Sequence, residues 1–362
     1  MFLLREEFGR LIDALRDAGY DCVGPQVRDG AVVYERLDDV EQLPRGFTDE
    51  QAPGRYRLAH GGHERFFAWA NGPHALKPLA FAPREVVWQA QRQEGGIAFE
   101  PVAPAVRPTA VLGVRACDLA ALALQDAHFL RDDVTDGHYR ARRESLFLVA
   151  VNCSHSAATC FCASTGDGPA VRAGYDLKLD ELDEGFVVAA GSVRGADLLT
   201  QLPLQPAMPE QIGRAAEQTH AVAASQTRTI PAGNLYPALL EKLNSARWDE
   251  VASRCLSCGN CTSVCPTCFC HSLHDEASLD GERVEHVRQW DSCFTSGHSE
   301  LHGIPVRGST AFRYRQWLTH KLGSWHEQYG RSGCVGCGRC ISWCPAGIDL
   351  SAEVTALLGE AS

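Results

Sequence analysis

Six cysteines stand within the sixteen residues CLSCGNCTSVCPTCFC, Cys255 to Cys270. Cys255, Cys258, Cys261 and Cys265 are spaced C-x2-C-x2-C-x3-C and followed by Pro266; Cys334, Cys337, Cys340, Cys344 and Pro345 repeat the pattern. This is the spacing of bacterial [4Fe–4S] runs. Three thiolates two residues apart can wrap a loop around three corners of an iron–sulfur cube. The fourth, sent off along a starting helix, reaches the neighbouring cube. The spacing predicts two clusters: cluster I on Cys255, Cys258, Cys261 and Cys344, and cluster II on Cys334, Cys337, Cys340 and Cys265. Gly259, Gly336 and Gly338 let each loop turn tightly and aim N–H groups at sulfur. Zinc also binds paired CxxC steps, but it explains neither the third step nor the doubled Cys-Pro.

A second group lies earlier. Cys117 follows the apolar run TAVLGV (109–114) and opens the helical stretch CDLAALALQDAHFL (117–130), which Asp118 can cap. Cys153 closes the run SLFLVAVNC (145–153). Strand, helix and strand in this order make a right-handed βαβ unit, whose parallel strands end on the edge where α/β sheets bind ligands. Cys160 and Cys162 follow in a loop. Four thiols thus meet beside a helix N-terminus, a place that favours anions, and suit a third [4Fe–4S] cluster. Zinc and plain burial as small apolar side chains are the alternatives.

The tetrapeptide TCFC at 159–162 recurs at 267–270. Cys268 and Cys270 of the second copy have Cys293 as a companion; three thiols make an incomplete set, and packing beside cluster I is the simpler reading. Cys22 reads as core. His271 and His274 are closer than a helical i,i+4 metal pair and read as surface or capping groups.

The elements that must position these residues are of two kinds. Leu3, Leu4, Phe8, Leu11, Ile12 and Leu15 recur at helical spacing, predicting an opening amphipathic helix. AVVYERL, RYRLAH and RFFAWA read as short strands of an α+β region, as does the 179–192 stretch with its acidic turn. Residues 200–235, rich in Pro, Gln, Ala and Ser, read as helix plus connection. Helices are predicted over 236–254, 309–329 and 350–360. Sixty-eight residues separate Cys265 from Cys334, more than a compact βαβ ferredoxin needs, so the second unit reads as helical and ferredoxin-like. The expected organisation is an α/β (α+β) domain over 1–200, a connection over 201–232 and a helical dicluster domain over 233–362.

Composition excludes several classes. A net charge of −11 opposes broad nucleic-acid binding. No apolar run reaches the roughly 18–20 residues of a membrane span, and the charged N-terminus is not a signal peptide. Sixteen cysteines in 362 residues without a secretion signal point to metal in a reducing cytoplasm, not to disulfides. No strand-GxGxxG-helix, GxSxG or P-loop is present, so no catalytic residue is assigned.

The stretches GVRACDLAAL, VNCSHSAATCFCASTGDGPAV, CTSVCPTCFC, RQWDSCF and CVGCGRCISWCPAGID together resemble the iron–sulfur β subunit of soluble NAD(P)-linked [NiFe] hydrogenases (sulfhydrogenases). They look equally like the A subunit of anaerobic sulfite reductase. The resemblance runs from about Gly54 to Asp349. One departure is Ala116-Cys117-Asp118, where the family pattern has Pro-Cys-Asp; the thiol stays available. The resemblance implies an electron relay, in a hetero-oligomer, between a flavin-containing NAD(P)H-oxidising partner and a catalytic subunit, hydrogenase first and sulfite reductase as the alternative. A stand-alone iron–sulfur reductase and a redox sensor are the readings from other classes.

Overall fold

Most strand-forming runs of the first half collect into one sheet, whose central strands are buried on both faces. The computed structural model describes residues 1–359. Glu360, the last residue of the predicted terminal helix, lies outside them. In chain order the strands begin with β1 (Phe2–Leu4), β2 (Asp21–Arg28), β3 (Ala31–Arg36), β4 (Phe47–Ala52), β5 (Arg55–His60), β6 (Arg84–Gln93) and β7 (Gly96–Pro101). They continue with β8 (Thr109–Val114), β9 (Leu146–Val151), β10 (Leu177–Glu181), β11 (Gly185–Ala190), β12 (His271–Ala277) and β13 (Arg283–Trp290).

The main sheet has seven strands in the order β1-β11-β10-β9-β8-β2-β3. Its centre, β10, β9, β8 and β2, is parallel, and its edges are antiparallel. β9 shows why: Phe147, Val149 and Val151 face one hydrophobic core with Phe8, Leu11 and Leu15. Leu146, Leu148 and Ala150 face the other, with Leu119 and Leu122. A strand buried on both faces carries a continuous apolar run. The expected βαβ unit is present, with the helix Ala116–Phe129 between parallel β8 and β9.

Three local expectations differ. Phe2–Leu4 pairs with β11, and the first α-helix begins only at Phe8; the hydrophobic period cannot reveal a sheet partner 180 residues away. RFFAWA (65–70) is buried but not a strand. Its N–H groups are taken instead by carboxylates: Phe66 and Phe67 donate to Glu181 at 2.6 and 2.8 Å, and Ala70 to Asp49 at 2.6 Å. Arg115, not Asp118, holds the N-cap position of the Ala116–Phe129 helix, because the Asp118 carboxylate is engaged elsewhere.

The C-terminal part packs the helices Arg247–Arg254, Thr310–Thr319 and Leu350–Gly359 around Trp248, Phe294, Tyr314, Trp317 and Val354, while Trp325, on the helix Trp325–Tyr329, packs against Cys117, Ala121 and Leu124. The long 309–329 stretch is broken by a π-helical turn at His320–Ser324. A hairpin of β12 and β13 joins β6 and β7 in a four-stranded antiparallel sheet, ordered β12-β13-β6-β7. Residues 84–101 and 271–290 therefore share one sheet. A buried ion network pins it: Arg288 donates to Glu85 at 2.5 Å and also to Asp136, while Arg142 and His138 reach Glu85 at 2.6 and 2.8 Å.

Candidate metal centre

Both cysteine runs fold into the same small shape. Gly259 (φ +72°) and Gly338 (φ +74°) each start one helical turn, Asn260–Ser263 and Arg339–Ser342. The next N–H groups bond back to the glycine carbonyl: Thr262 and Ser263 to Gly259, Ile341 and Ser342 to Gly338. The left-handed φ is one that a side chain rarely adopts. At Gly338 there is no room either, since a Cβ would lie 2.3 Å from the Thr159 carbonyl oxygen. A Cβ on Gly336 would fall 2.6 Å from Cys162 Cα. The second run thus rests on the first TCFC loop, where the Phe161 N–H donates to the Gly336 carbonyl at 2.8 Å.

Cys255, Cys258, Cys261 and Cys344 line one cavity, walled by Phe294, Tyr314, Trp317 and Ile348. Cys340 borders the same cavity. Cys334, Cys337 and Cys340 gather around Cys265, each within electrostatic reach of it. Burial pushes the Cys334 thiol up to about 12, and Cys337 and Cys265 add to the effect. Burial, then neighbouring sulfurs, hold Cys261 and Cys340 well above the ordinary thiol range. Buried thiols this close to one another lose their protons readily only when a cation takes the protons' place.

Cys117, Cys153, Cys160 and Cys162 also converge. Cys162 lies within reach of Cys117, Cys153 and Cys160, and Cys160 of Cys153. Asn71 sits among them, 3.9 Å from both Cys117 and Cys160, and donates to the Cys337 carbonyl at 3.0 Å. Gln226 Nε2 donates to Cys162 Sγ at 3.3 Å. Cys337 is close to Cys117 and Cys162, so this group and the Cys334 group are neighbours. Among the described residues no three thiol, imidazole or carboxylate groups draw together around a point that one metal ion would occupy.

The charges around these thiols were not legible in the sequence. Lys321, on the π-helical turn, is 4% exposed, and its ammonium donates to Thr267 Oγ1 at 2.8 Å. Lys77 is 6% exposed; it donates to the Thr262 and Ser263 carbonyls at 3.2 and 3.3 Å and lies 3.8 Å from the Trp290 ring centroid. Arg115 is 1% exposed, gives one nitrogen to the Phe67 and Trp69 carbonyls and stands beside Cys153. Its Nε and Nη1 have no hydrogen-bond partner among the described residues. Among the described residues none of the three cations forms an ion pair with a carboxylate. Burial pulls Lys77 down. At Lys321 burial acts the same way, but Cys265, Cys268 and Cys334 outweigh it and hold the group up. A buried cation without a counter-charge costs several kcal/mol; three such cations beside cysteine groups are the environment of an anion.

The remaining candidates divide. Cys268 lies against Cys265, beside Lys321 and Lys77. Cys270 lies 3.9 Å from Cys293. Cys22 is core, 3% exposed. His271 and His274 lie on β12, and His274 bonds to Glu276 at 2.9 Å.

Comparison with known proteins agrees with this reading of the cysteine runs. The family model of a 4Fe-4S dicluster domain matches residues 254–348. Along 354 residues the chain is 26% identical to the sulfhydrogenase 2 subunit beta of Pyrococcus furiosus, covering 95% of this chain and 94% of that one. No solved structure matches. No helix among the described residues is long and apolar enough to cross a membrane.

Proposed function

We propose that this chain, which carries a dicluster domain and resembles a sulfhydrogenase β subunit along nearly its whole length, is an iron–sulfur electron-transfer subunit. In this reading Cys255, Cys258, Cys261 and Cys344 hold one [4Fe–4S] cluster, and Cys334, Cys337, Cys340 and Cys265 a second. Cys117, Cys153, Cys160 and Cys162 hold a third. Each cluster, when bound, exchanges one electron at a time at a potential set by its surroundings. The observation that carries the reading is the set of buried cations that, among the described residues, have no carboxylate partner: Lys321 and Lys77 beside Cys265 and Arg115 beside Cys153.

The protein's own residues have three tasks. The glycine turns bring backbone N–H groups toward sulfur. Lys321, Lys77 and Arg115 offset negative charge in a medium of low polarity. Phe294, Tyr314 and Trp317 exclude water from the Cys255 cavity. Adjacency gives a path: the Cys117 group neighbours Cys337, and Cys340 borders the Cys255 cavity. Cys258 is exposed, and Leu256 beside it is 68% exposed, which makes this end a port to a partner. The partners would be a flavin-containing NAD(P)H-oxidising subunit and a catalytic subunit, a hydrogenase by the likeness above, with residues 1–200 and 233–362 contributing the two ends of the path. All sixteen cysteines are unpaired, which suits a reducing cytoplasm.

The test is iron and acid-labile sulfide per anaerobically purified chain, with EPR of the reduced protein. About twelve irons support three clusters, and about eight with one zinc would confine redox chemistry to the C-terminal pair. Fewer than about four irons, with no cluster signal, would sink the relay.

A further inference from the structure

The second TCFC plays no part in the ligand sets proposed above, yet its last thiol is not idle in the fold. Cys270 leads into β12 and Cys293 follows β13, and the hairpin holds them together. The Asp291 N–H donates to the Cys270 carbonyl at 2.9 Å, extending the ladder beyond the His271–Trp290 pair. The two sulfurs stand 3.9 Å apart. Cys293 is buried at 7% exposure, while Cys270 is partly open. His298 lies against the Cys270 thiol, and its Nδ1 is 3.3 Å from the Asp291 carboxylate. In a thiol, an imidazole and a carboxylate set in sequence, with a second thiol in contact, the imidazole can take a thiol proton and the second thiol can resolve an adduct.

We propose that Cys270 and Cys293 form a thiol–disulfide exchange site that takes a small organic disulfide as its oxidant. The partly open Cys270 attacks one sulfur of the disulfide RSSR. His298, oriented by Asp291, accepts the Cys270 proton and passes it to the departing RS⁻, giving RSH and a Cys270–S–SR adduct. Cys293 then attacks the Cys270 sulfur, releasing the second RSH and closing a Cys270–Cys293 disulfide. Two electrons pass from the protein thiols to RSSR, and the two thiol protons leave on two RSH. A reducing dithiol reverses both steps. The hairpin already holds the two sulfurs 3.9 Å apart, so closure brings together thiols that are near neighbours in the fold. The site is therefore a two-electron thiol couple built beside one-electron centres.

The test uses the anaerobic, metal-loaded chain. It is equilibrated with glutathione disulfide, free thiols are trapped by alkylation, and the linked peptides are identified by mass spectrometry while iron is counted on the same sample. The expected result is a Cys270–Cys293 disulfide that dithiothreitol reopens, with iron per chain unchanged. In Cys293→Ser the glutathione adduct should persist on Cys270, and His298→Gln should slow adduct formation by about tenfold or more at the wild-type iron content. The proposal is overturned if both thiols are alkylated under oxidising poise, if the disulfide forms only as iron is lost, or if His298→Gln leaves the rate unchanged. It is equally overturned if the two thiols resist both alkylation and exchange because they hold iron. The iron count and EPR signal separate failure of this site from failure of the relay, since the exchange is read chemically and not by electron transfer.

Discussion

Arg339 donates to both carboxylate oxygens of Asp118, at 2.8 and 3.0 Å, and both side chains are at most 2% exposed. The pair ties the turn that follows Cys337 to the helix that begins beside Cys117, so one bidentate contact fixes two cysteine groups relative to each other. Breaking it leaves a buried charge unpaired. Asp118→Asn is expected to destabilise the protein by about 3–5 kcal/mol, seen as a lower denaturant midpoint. Arg339→Lys should also lose stability, because an ammonium cannot bridge both oxygens.

Lys321 faces Cys265 and Cys334 and, among the described residues, pairs with no carboxylate; a reduced cluster carries one more negative charge than an oxidised one. Removing the cation should disfavour reduction. Lys321→Met is expected to lower the midpoint potential of one cluster by roughly 60 mV or more, a tenfold shift for one electron. EPR-monitored redox titration reads this directly; an unchanged potential would show that the ammonium does not sense the cluster.

At Gly338 the would-be Cβ meets the Thr159 carbonyl at 2.3 Å in a left-handed backbone. Gly338→Ala should displace the second run from the first TCFC loop and reduce iron in that region, while Gly213→Ala, in an open helical position, should be tolerated. Iron per chain and thermal midpoint distinguish the two.

Single-thiol changes should be selective. Cys258→Ala should lose or convert the cluster nearest the surface, and Cys337→Ala the next. In the assembled complex electron flow from NAD(P)H should collapse while the partners still react with artificial dyes. Cys117→Ser should remove about four irons and leave the other two EPR signals. Steady-state assays beside EPR would show a misassignment at once, as normal flow through the Cys258→Ala complex.

Acid should loosen the four-stranded sheet. Burial pushes Glu85 and Asp136 up, but Arg288, helped by Arg142 and His138 at Glu85 and by the Tyr139 N–H and His138 at Asp136, outweighs it and holds both below the usual carboxylate range. A carboxylate with a depressed folded pKa adds stability at pH above its ordinary value of about 4, and this is lost as pH falls through the folded value. Unfolding free energy should therefore fall steeply below about pH 4. Glu85→Gln should lower stability at neutral pH and flatten that dependence, as measured by denaturant titration at several pH values.

The cysteine spacing by itself determined the chemistry proposed for this protein, because a run of three CxxC steps and Cys-Pro encodes its loop locally. The helix–strand period gave β8, β9 and the helix between them, since burial on both faces leaves a continuous apolar signature. Tertiary structure alone decided the rest. Glu181 captures the backbone of Phe66 and Phe67, which turned an apparent strand into an irregular buried segment. β11 recruits Phe2–Leu4 away from the opening helix. Lys77, Lys321 and Arg115 look like ordinary surface residues in the sequence; only packing against thiols far along the chain gives them a role. The same holds for Cys270, Cys293 and His298, which a hairpin register brings together. Such contacts depend on long-range pairing, and no local pattern of residues records which distant group a buried charge or thiol will meet.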